Sequence, residues 1–326
     1  LFAFDADTGK VLWREAYKGG YPRDDYPGVR ATPTIDAGTI YTFGGGGMLA
    51  ARDVKTGKGL WSFDVLKATG GGLLTWGQAS SPLVHDNLVI VQGGAGGSIA
   101  VAVDKKTGKG VWKSEAQGTS GYAQVIAINV DGKPQLVVFG GTAVVGMDPG
   151  TGKTLWKQDW KTSYDVNAAT PIYDGQGNLF VASGYQTGGG MFKLTSTGIT
   201  KAWGPDKKFL CKFQPPIKDG DTVYLVGEDK RGTIKAMSWP DGAVKWDLKD
   251  AKVGFGGSLL RVGGHLIAQS QNGDIHLIKA SPESGELVSS FKPFDGSDKV
   301  WSMPIVYRGK LYAKGDTELV AFDVKK

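Results

Sequence analysis

One phrase recurs along this 326-residue chain and leaves few folds open to it. It begins at the N-terminus as LFAFDADTGKVLW, ending at Trp13, and returns as DVKTGKGLW to Trp61, DKKTGKGVW to Trp112 and DPGTGKTLW to Trp156. Looser copies are LTSTGITKAW to Trp203, SWPDGAVKW to Trp246 and ASPESGELVSSF to Phe291. The aromatic positions follow one another at 43 to 51 residues, a period that belongs to stacked supersecondary units. The Gly-Lys pair is not a phosphate loop. That loop needs its glycines before the lysine, a Ser or Thr after it and a helix behind, whereas Lys10 runs into Val11, Leu12 and Trp13. A turn between two short strands accounts for the phrase, with glycine at positive φ and Asp5 and Thr8 capping turn amides.

A second phrase precedes most copies: ATPTIDAGTIYTF from Ala31, SSPLVHDNLVIVQ from Ser80, ATPIYDGQGNLFVAS from Ala169, QPPIKDGDTVYLVG from Gln214 and SMPIVYRGKLYAKG from Ser302. AQVIAINVDGKPQLVVFG from Ala123 and GSLLRVGGHLIAQS from Gly257 lack the proline. Each adds a strand, a turn and a strand, so one unit is four antiparallel strands with no convincing helical stretch. That is a propeller blade, and the chain reads as an all-β propeller of four-stranded blades. A lone blade cannot bury both faces, so Trp13, Trp61, Trp112, Trp156, Trp203 and Trp246 are assigned as structural wedges between blades. The last unit has no Thr-Gly turn and no closing tryptophan. Residues 1–17 are therefore expected to complete the blade of residues 302–326, closing one domain over residues 1–326 with seven blades and no open sheet edge. Leu1 to Phe4 duplicates a strand that Leu319 to Phe322 already provides, which keeps an eight-bladed parent open.

The formal charge of +6 comes from scattered lysines, with no arginine cluster of the kind a nucleic-acid face requires. One cysteine, Cys211, and three histidines exclude a disulfide framework and a thiolate zinc site, and Cys211 reads as a bystander. No apolar run is long enough to span a membrane, no signal peptide is visible, and a monomer is expected.

The segments leading into the first strand of each unit should rim one mouth of the axial channel. They bring Arg30, Trp76, Gln78, Tyr122, Asn167, Phe213, Gln214, Phe255 and Trp301 to comparable places. Stacking surfaces and directional donors set among small residues are what a preformed ligand pocket needs; Phe213 and Phe255 read equally as channel plugs. Arg30 needs a partner if buried, and Asp25, Asp165 and Asn167 are candidates. Asp165 is the one weak candidate for a general base, without a second acid, histidine or metal set beside it. GYQTGGGM, from Gly184 to Met191, reads as a hairpin loop near the same mouth.

The paired phrases resemble the PQQ-like β-propeller repeat proteins of the quinoprotein alcohol dehydrogenase-like group, bacterial members above all, over essentially the whole chain. The resemblance implies one of two outcomes. Quinoprotein dehydrogenases oxidise alcohols or sugars with pyrroloquinoline quinone near Ca²⁺ and an aspartate base, some with an adjacent-cysteine disulfide. The single Cys211 leaves no such disulfide, and no calcium-and-base set maps onto the sequence. The other outcome is that of outer-membrane assembly lipoproteins of the same fold, protein-binding scaffolds without a cofactor. The expectation is a noncatalytic propeller that recognises a protein or an extracellular carbohydrate or small molecule through its mouth, without a cofactor. The alternative is a PQQ- and Ca-dependent or other carbohydrate-directed enzyme. The resemblance also implies a periplasmic or extracellular location.

Overall fold

The computed structural model describes residues 1–16, 20–21, 30–228, 232–295 and 299–325. Strands β1 (Phe2–Phe4) and β2 (Val11–Arg14) pair with each other. Blade 1 is β3 (Thr34–Asp36), β4 (Thr39–Phe43), β5 (Met48–Asp53) and β6 (Gly59–Asp64). Blade 2 is β7 (Leu83–His85), β8 (Leu88–Gly94), β9 (Gly96–Asp104) and β10 (Gly110–Lys113); blade 3 is β11 (Ile126–Val130), β12 (Lys133–Phe139), β13 (Ala143–Met147) and β14 (Thr154–Asp159). Blade 4 follows as β15 (Ile172–Tyr173), β16 (Asn178–Ser183), β17 (Gly188–Thr195) and β18 (Gly198–Asp206). Blade 5 is β19 (Ile217–Asp219), β20 (Thr222–Val226), β21 (Ile234–Ser238) and β22 (Val244–Leu248); blade 6 is β23 (Ser258–Val262), β24 (His265–Gln269), β25 (Ile275–Ala280) and β26 (Gly285–Phe291). Blade 7 has three strands, β27 (Ile305–Tyr307), β28 (Lys310–Lys314) and β29 (Leu319–Asp323).

This is an all-β, seven-bladed propeller of mostly four-stranded antiparallel sheets. The chain forms two compact units: Leu1–Asn167 with Tyr173–Asn178 and Lys193–Thr200, and the remainder. Blades 1 to 3 lie in the first, blades 5 to 7 in the second. Among the described residues one short α-helix, besides two 3₁₀ turns at Ser163–Asp165 and Lys207–Phe209, departs from the all-strand expectation: α1 (Val65–Thr69), capped by Asp64, which accepts from Lys67 N at 3.0 Å, and ended by Gly70 at φ +72°.

Burial explains which repeats read as alternating and which as continuous. Middle strands such as β8 and β13 are buried along their whole length because both faces are covered, so they are apolar runs. In the first unit, Leu88, Ile90, Ala100 and Ala102 of blade 2 pack with Leu136, Val138, Val145 and Met147 of blade 3. Fourth strands such as β6 and β10 are largely exposed and mixed in composition.

The repeated phrase builds the same joint several times. Asp53 Oδ1 accepts from Thr56 N and Thr56 Oγ1, both at 2.8 Å, and Asp104 repeats this with Thr107. The residue before each tryptophan falls at a register shift, so the tryptophan lies opposite a small residue: Trp13 on Ala3, Trp61 on Ala51, Trp112 on Ala102, Trp156 on Gly146 and Trp246 on Ala236. A bulge re-aims the side chain. Its indole N–H then reaches the next turn: Trp13 donates to Val54 O at 3.0 Å, Trp61 to Lys105 O at 3.1 Å, Trp112 to Pro149 O at 2.9 Å, Trp203 to Pro240 O at 3.2 Å and Trp246 to Ser281 O at 3.0 Å. The turn glycine lies flat against that ring, since a Cβ on Gly108 would sit 2.6 Å from Trp61 Cδ2.

Trp156 departs from the pattern. It is buried and donates to Gln135 Oε1 at 2.7 Å, and Gln135 Nε2 donates onward to Ser196 O at 3.0 Å. A glutamine relay thus reaches the turn of blade 4, whose Thr195-Ser196-Thr197-Gly198 lacks the leading aspartate.

Candidate functional site

In a sheet of four consecutive antiparallel strands, the segment leading into the first strand and the turn between the second and third lie at one end. The Asp-x-x-Thr-Gly turns, between the third and fourth strands, lie at the other. The repeated lysines of those turns are therefore separated from the lead-in residues within each blade.

In the first unit the lead-in residues form one linked group. The Arg30 guanidinium lies over the Tyr21 ring, 4.7 Å from its centroid, and the Tyr21 hydroxyl donates to Thr75 O. Gly77 backs onto that ring at φ +72°, where a Cβ would be 2.8 Å from Tyr21 Cδ2. Gln78 N donates to Gly45 O at 2.9 Å, and Trp76 N donates to the Tyr122 hydroxyl at 3.4 Å. The Gln78 side chain is 1% exposed, and among the described residues its Nε2 has no hydrogen-bond acceptor. Asp25, named above as a partner for Arg30, lies outside the described residues.

Asn167 stands behind this group as a support. Fully buried, it donates from Nδ2 to Gly140 O at 2.8 Å and Gly141 O at 3.1 Å and accepts from Thr162 Oγ1 at 2.5 Å. Its backbone oxygen accepts from Tyr122 N at 2.9 Å and Ala123 N at 3.1 Å. Gln92 completes the cradle, donating to Ala123 O at 2.7 Å and accepting from Gly121 N at 2.7 Å. The Tyr122 backbone is thus held by the main-chain oxygen of Asn167, itself fixed by its buried side-chain amide, and its neighbours Gly121 and Ala123 by Gln92.

In the second unit Lys212 occupies a box of aromatic rings. Its Nζ lies 4.4 Å from the ring centroids of Tyr185 and Phe255, 5.5 Å from that of Phe213, and 3.3 Å from Glu228 Oε1. The pair is well covered, with side-chain exposures of 16% and 12%. Phe213 packs on Trp301 at 5.3 Å and on Phe255 at 6.2 Å. Gln214 Nε2 donates to Trp301 O at 3.2 Å, which fixes that segment. Glu228 Oε2 accepts from Tyr185 N at 2.5 Å, tethering the Gly184–Met191 loop, in which Tyr185 and Gln186 take φ of +53° and +66°.

Sequence reasoning named Phe213, Gln214, Phe255 and Trp301 but missed Lys212, Glu228 and the ring of Tyr185. The register carried a signal for one of them: Lys212 stands four residues before Pro216, as Gln78 does before Pro82 and Asn167 before Pro171.

Asp165 sits in a tight turn at φ +55° beside Tyr164, which is 74% exposed. Cys211 is buried, its thiol donates to Gln214 O at 3.0 Å, and burial pushes its pKa up to about 12. Among the described residues no three or more His, Cys, Asp or Glu gather to hold a metal ion. No helix is long and apolar enough to cross a membrane among the described residues.

A family model described as "Outer membrane protein assembly factor BamB" matches residues 1–248. Similar solved structures include BamB from Moraxella catarrhalis, at 17% identity and a TM-score of 0.67, covering 96% of this chain and 85% of that one. Quinohemoprotein alcohol dehydrogenase from Comamonas testosteroni matches at 16% identity and 0.65, and ADHIIG from Pseudomonas putida HK5 at 15% and 0.65. Each of these two covers 95% of this chain, which spans 66% of theirs. At such identities the likeness is one of fold. No curated protein matches the chain in sequence.

Proposed function

Because the chain belongs to the family described as outer membrane protein assembly factor BamB, we propose that it is a noncatalytic scaffold that binds a protein partner through the lead-in end of its blades. Periplasmic or outer-membrane-associated localisation is consistent with that membership. The observation that carries the reading is the composition of the lead-in segments. Trp76 in one unit, and Phe213, Phe255 and Trp301 in the other, are partly exposed large rings; the Trp76 backbone N–H donates to Tyr122, Gln214 holds the backbone of Trp301, and Phe213 and Phe255 pack on the Trp301 ring. Rigid aromatic residues with few rotamers are efficient recognition anchors. The ionisable groups among them are already engaged: Lys212 with Glu228, and Arg30 with Tyr21.

The test is site-specific photocrosslinking in the native cell envelope, with the probe placed at Trp76 or Trp301 and, as the opposite end, at Lys55 or Lys106. Crosslinks to the same protein from the first two positions and none from the second two are expected. Crosslinks confined to the turn lysines, or none at all, would overturn it. So would Ca²⁺-dependent, saturable quinone binding coupled to alcohol-dependent dye reduction by the purified chain.

A further inference from the structure

Blade 6 repeats a polar pair of blade 2 and leaves it unfinished. Ser258 and Gln269 stand directly opposite each other on β23 and β24, so their side chains share one face, with Cβ atoms about 5 Å apart. The same register in blade 2, where Leu83 is opposite Ile90, sets Ser81 across from Gln92. In blade 2 both side chains are matched. Gln92 Nε2 donates to Ala123 O and its Oε1 accepts from Gly121 N, both at 2.7 Å, and Ser81 Oγ accepts from Thr32 N of the preceding blade at 3.0 Å.

Blade 6 keeps the first of those bonds and lacks the others. Gln269 Nε2 donates to Ser302 O at 3.0 Å, and Ser302 precedes Pro304 by two residues as Ala123 precedes Val125. That bond fixes which end of the Gln269 amide is the oxygen, because a carbonyl accepts only from the NH₂ group. The two absent donors are accounted for by the chain. Val300, at the position of Gly121, gives its N–H to Gln271 O at 2.8 Å. Pro215 precedes Pro216 as Thr32 precedes Pro33, and proline has no N–H to give. Ser258 and Gln269 are 1% and 0% exposed, and Ser258 Oγ and Gln269 Oε1 have no hydrogen-bond partner among the described residues.

We propose that one water molecule is bound between Ser258 and Gln269 as a fixed part of the protein, accepting from Ser258 Oγ and donating to Gln269 Oε1. Buried polar atoms left unmatched are costly, and native interiors match nearly all of them. The guest must accept from a hydroxyl and donate to an amide oxygen. It must be small, because the two side chains face each other across adjacent strands. It must be neutral, because an ion taken out of water needs a counter-charge and both side chains are uncharged. Water meets all three demands, and buried waters ordinarily make about two to four such bonds. This water would complete the support of the backbone beside Trp301: Gln269 holds Ser302 O, and Gln214 holds Trp301 O. The site does not depend on what the propeller binds.

A high-resolution crystal structure of the full chain tests it. One spherical density peak is expected at about 2.7 to 3.2 Å from both Ser258 Oγ and Gln269 Oε1, with none between Ser81 and Gln92, which serve as the control in the same crystal. In solution, water ¹⁷O relaxation dispersion should show the loss of one long-lived water in Ser258→Val, whose methyl groups fill the space, and no loss in Ser81→Val. A missing peak, a direct bond between Ser258 and Gln269, an equal peak at the blade 2 pair, or an unchanged water count in a folded Ser258→Val chain would overturn the proposal. The wild-type crystal decides it even where the variant fails to fold.

Discussion

The stacking of a turn glycine on the tryptophan of the preceding strand pair can be isolated, because the chain contains the same turn with and without the ring. Gly9 and Gly108 close equivalent Asp-x-x-Thr-Gly turns at φ of +70° and +69°, and their amides donate to Asp5 O and Asp104 O at 2.9 and 2.8 Å. A Cβ at Gly9 would meet nothing within 4 Å, whereas one at Gly108 would fall 2.6 to 2.8 Å from three atoms of the Trp61 ring. Gly9→Ala should therefore cost the left-handed backbone penalty alone, about 1 to 2 kcal/mol. Gly108→Ala should add the displacement of a packed indole, about 1 to 3 kcal/mol more. The assay is urea unfolding followed by circular dichroism, with the same pair of substitutions repeated in Trp61→Ala. There the excess at Gly108 should vanish, since the ring it strikes is gone. Equal costs for the two glycines, or an excess that survives Trp61→Ala, would refute the wedge account.

Cys211 is expected to resist Ellman's reagent in the folded chain at pH 8 and to react fully in urea, because burial pushes its pKa up to about 12; ready labelling of the folded chain would contradict its burial. His276 is buried, with Nδ1 at 2.7 Å from Ser290 Oγ and its Nε2 without a partner among the described residues; burial lowers its pKa against the opposing pull of Asp274. The folded state then binds fewer protons than the unfolded one, so stability should rise with pH through the ordinary histidine range near about 6.5 and fall below it. His276→Gln should flatten the urea midpoint across that window. Asp104 shows the opposite kind of group: bonds from the Thr107 hydroxyl and amide hold its pKa below the usual carboxylate value. Its contribution is complete above about pH 3.9 and is lost as pH falls through the lower folded value, and Asp104→Asn should remove that part of the acid-side slope.

Most of the fold was legible because its repeating parts are local. The aspartate, threonine and glycine of each turn satisfy one another within four residues, as Asp53 does with Thr56, so the motif announces the turn wherever it stands. Leu88 to Val91 was legible as the second strand of its unit, while its burial on both faces came only with the structure. The short helix after Asp64 was missed because five residues carry no periodicity, and it is stabilised by a cap and by packing of Val65. Trp156 was read as one more wedge. Its diversion through Gln135 depends on what the following turn offers, which lies 40 residues away at Ser196.

The candidate site divides in the same way. The repeat register places Gln78, Asn167 and Lys212 at one position of their units, and sequence alone determines that much. What each does there is decided by neighbours drawn from other segments. Asn167 turns inward to hold the backbone of Gly140 and Gly141, and Gln78 is buried with its amide nitrogen unmatched among the described residues. Lys212 meets Glu228, Tyr185 and Phe255 from three separate segments. Hydrogen bonds that close within a turn are written in the order of residues. A charge enclosed by rings from distant strands exists only once packing has brought those strands together.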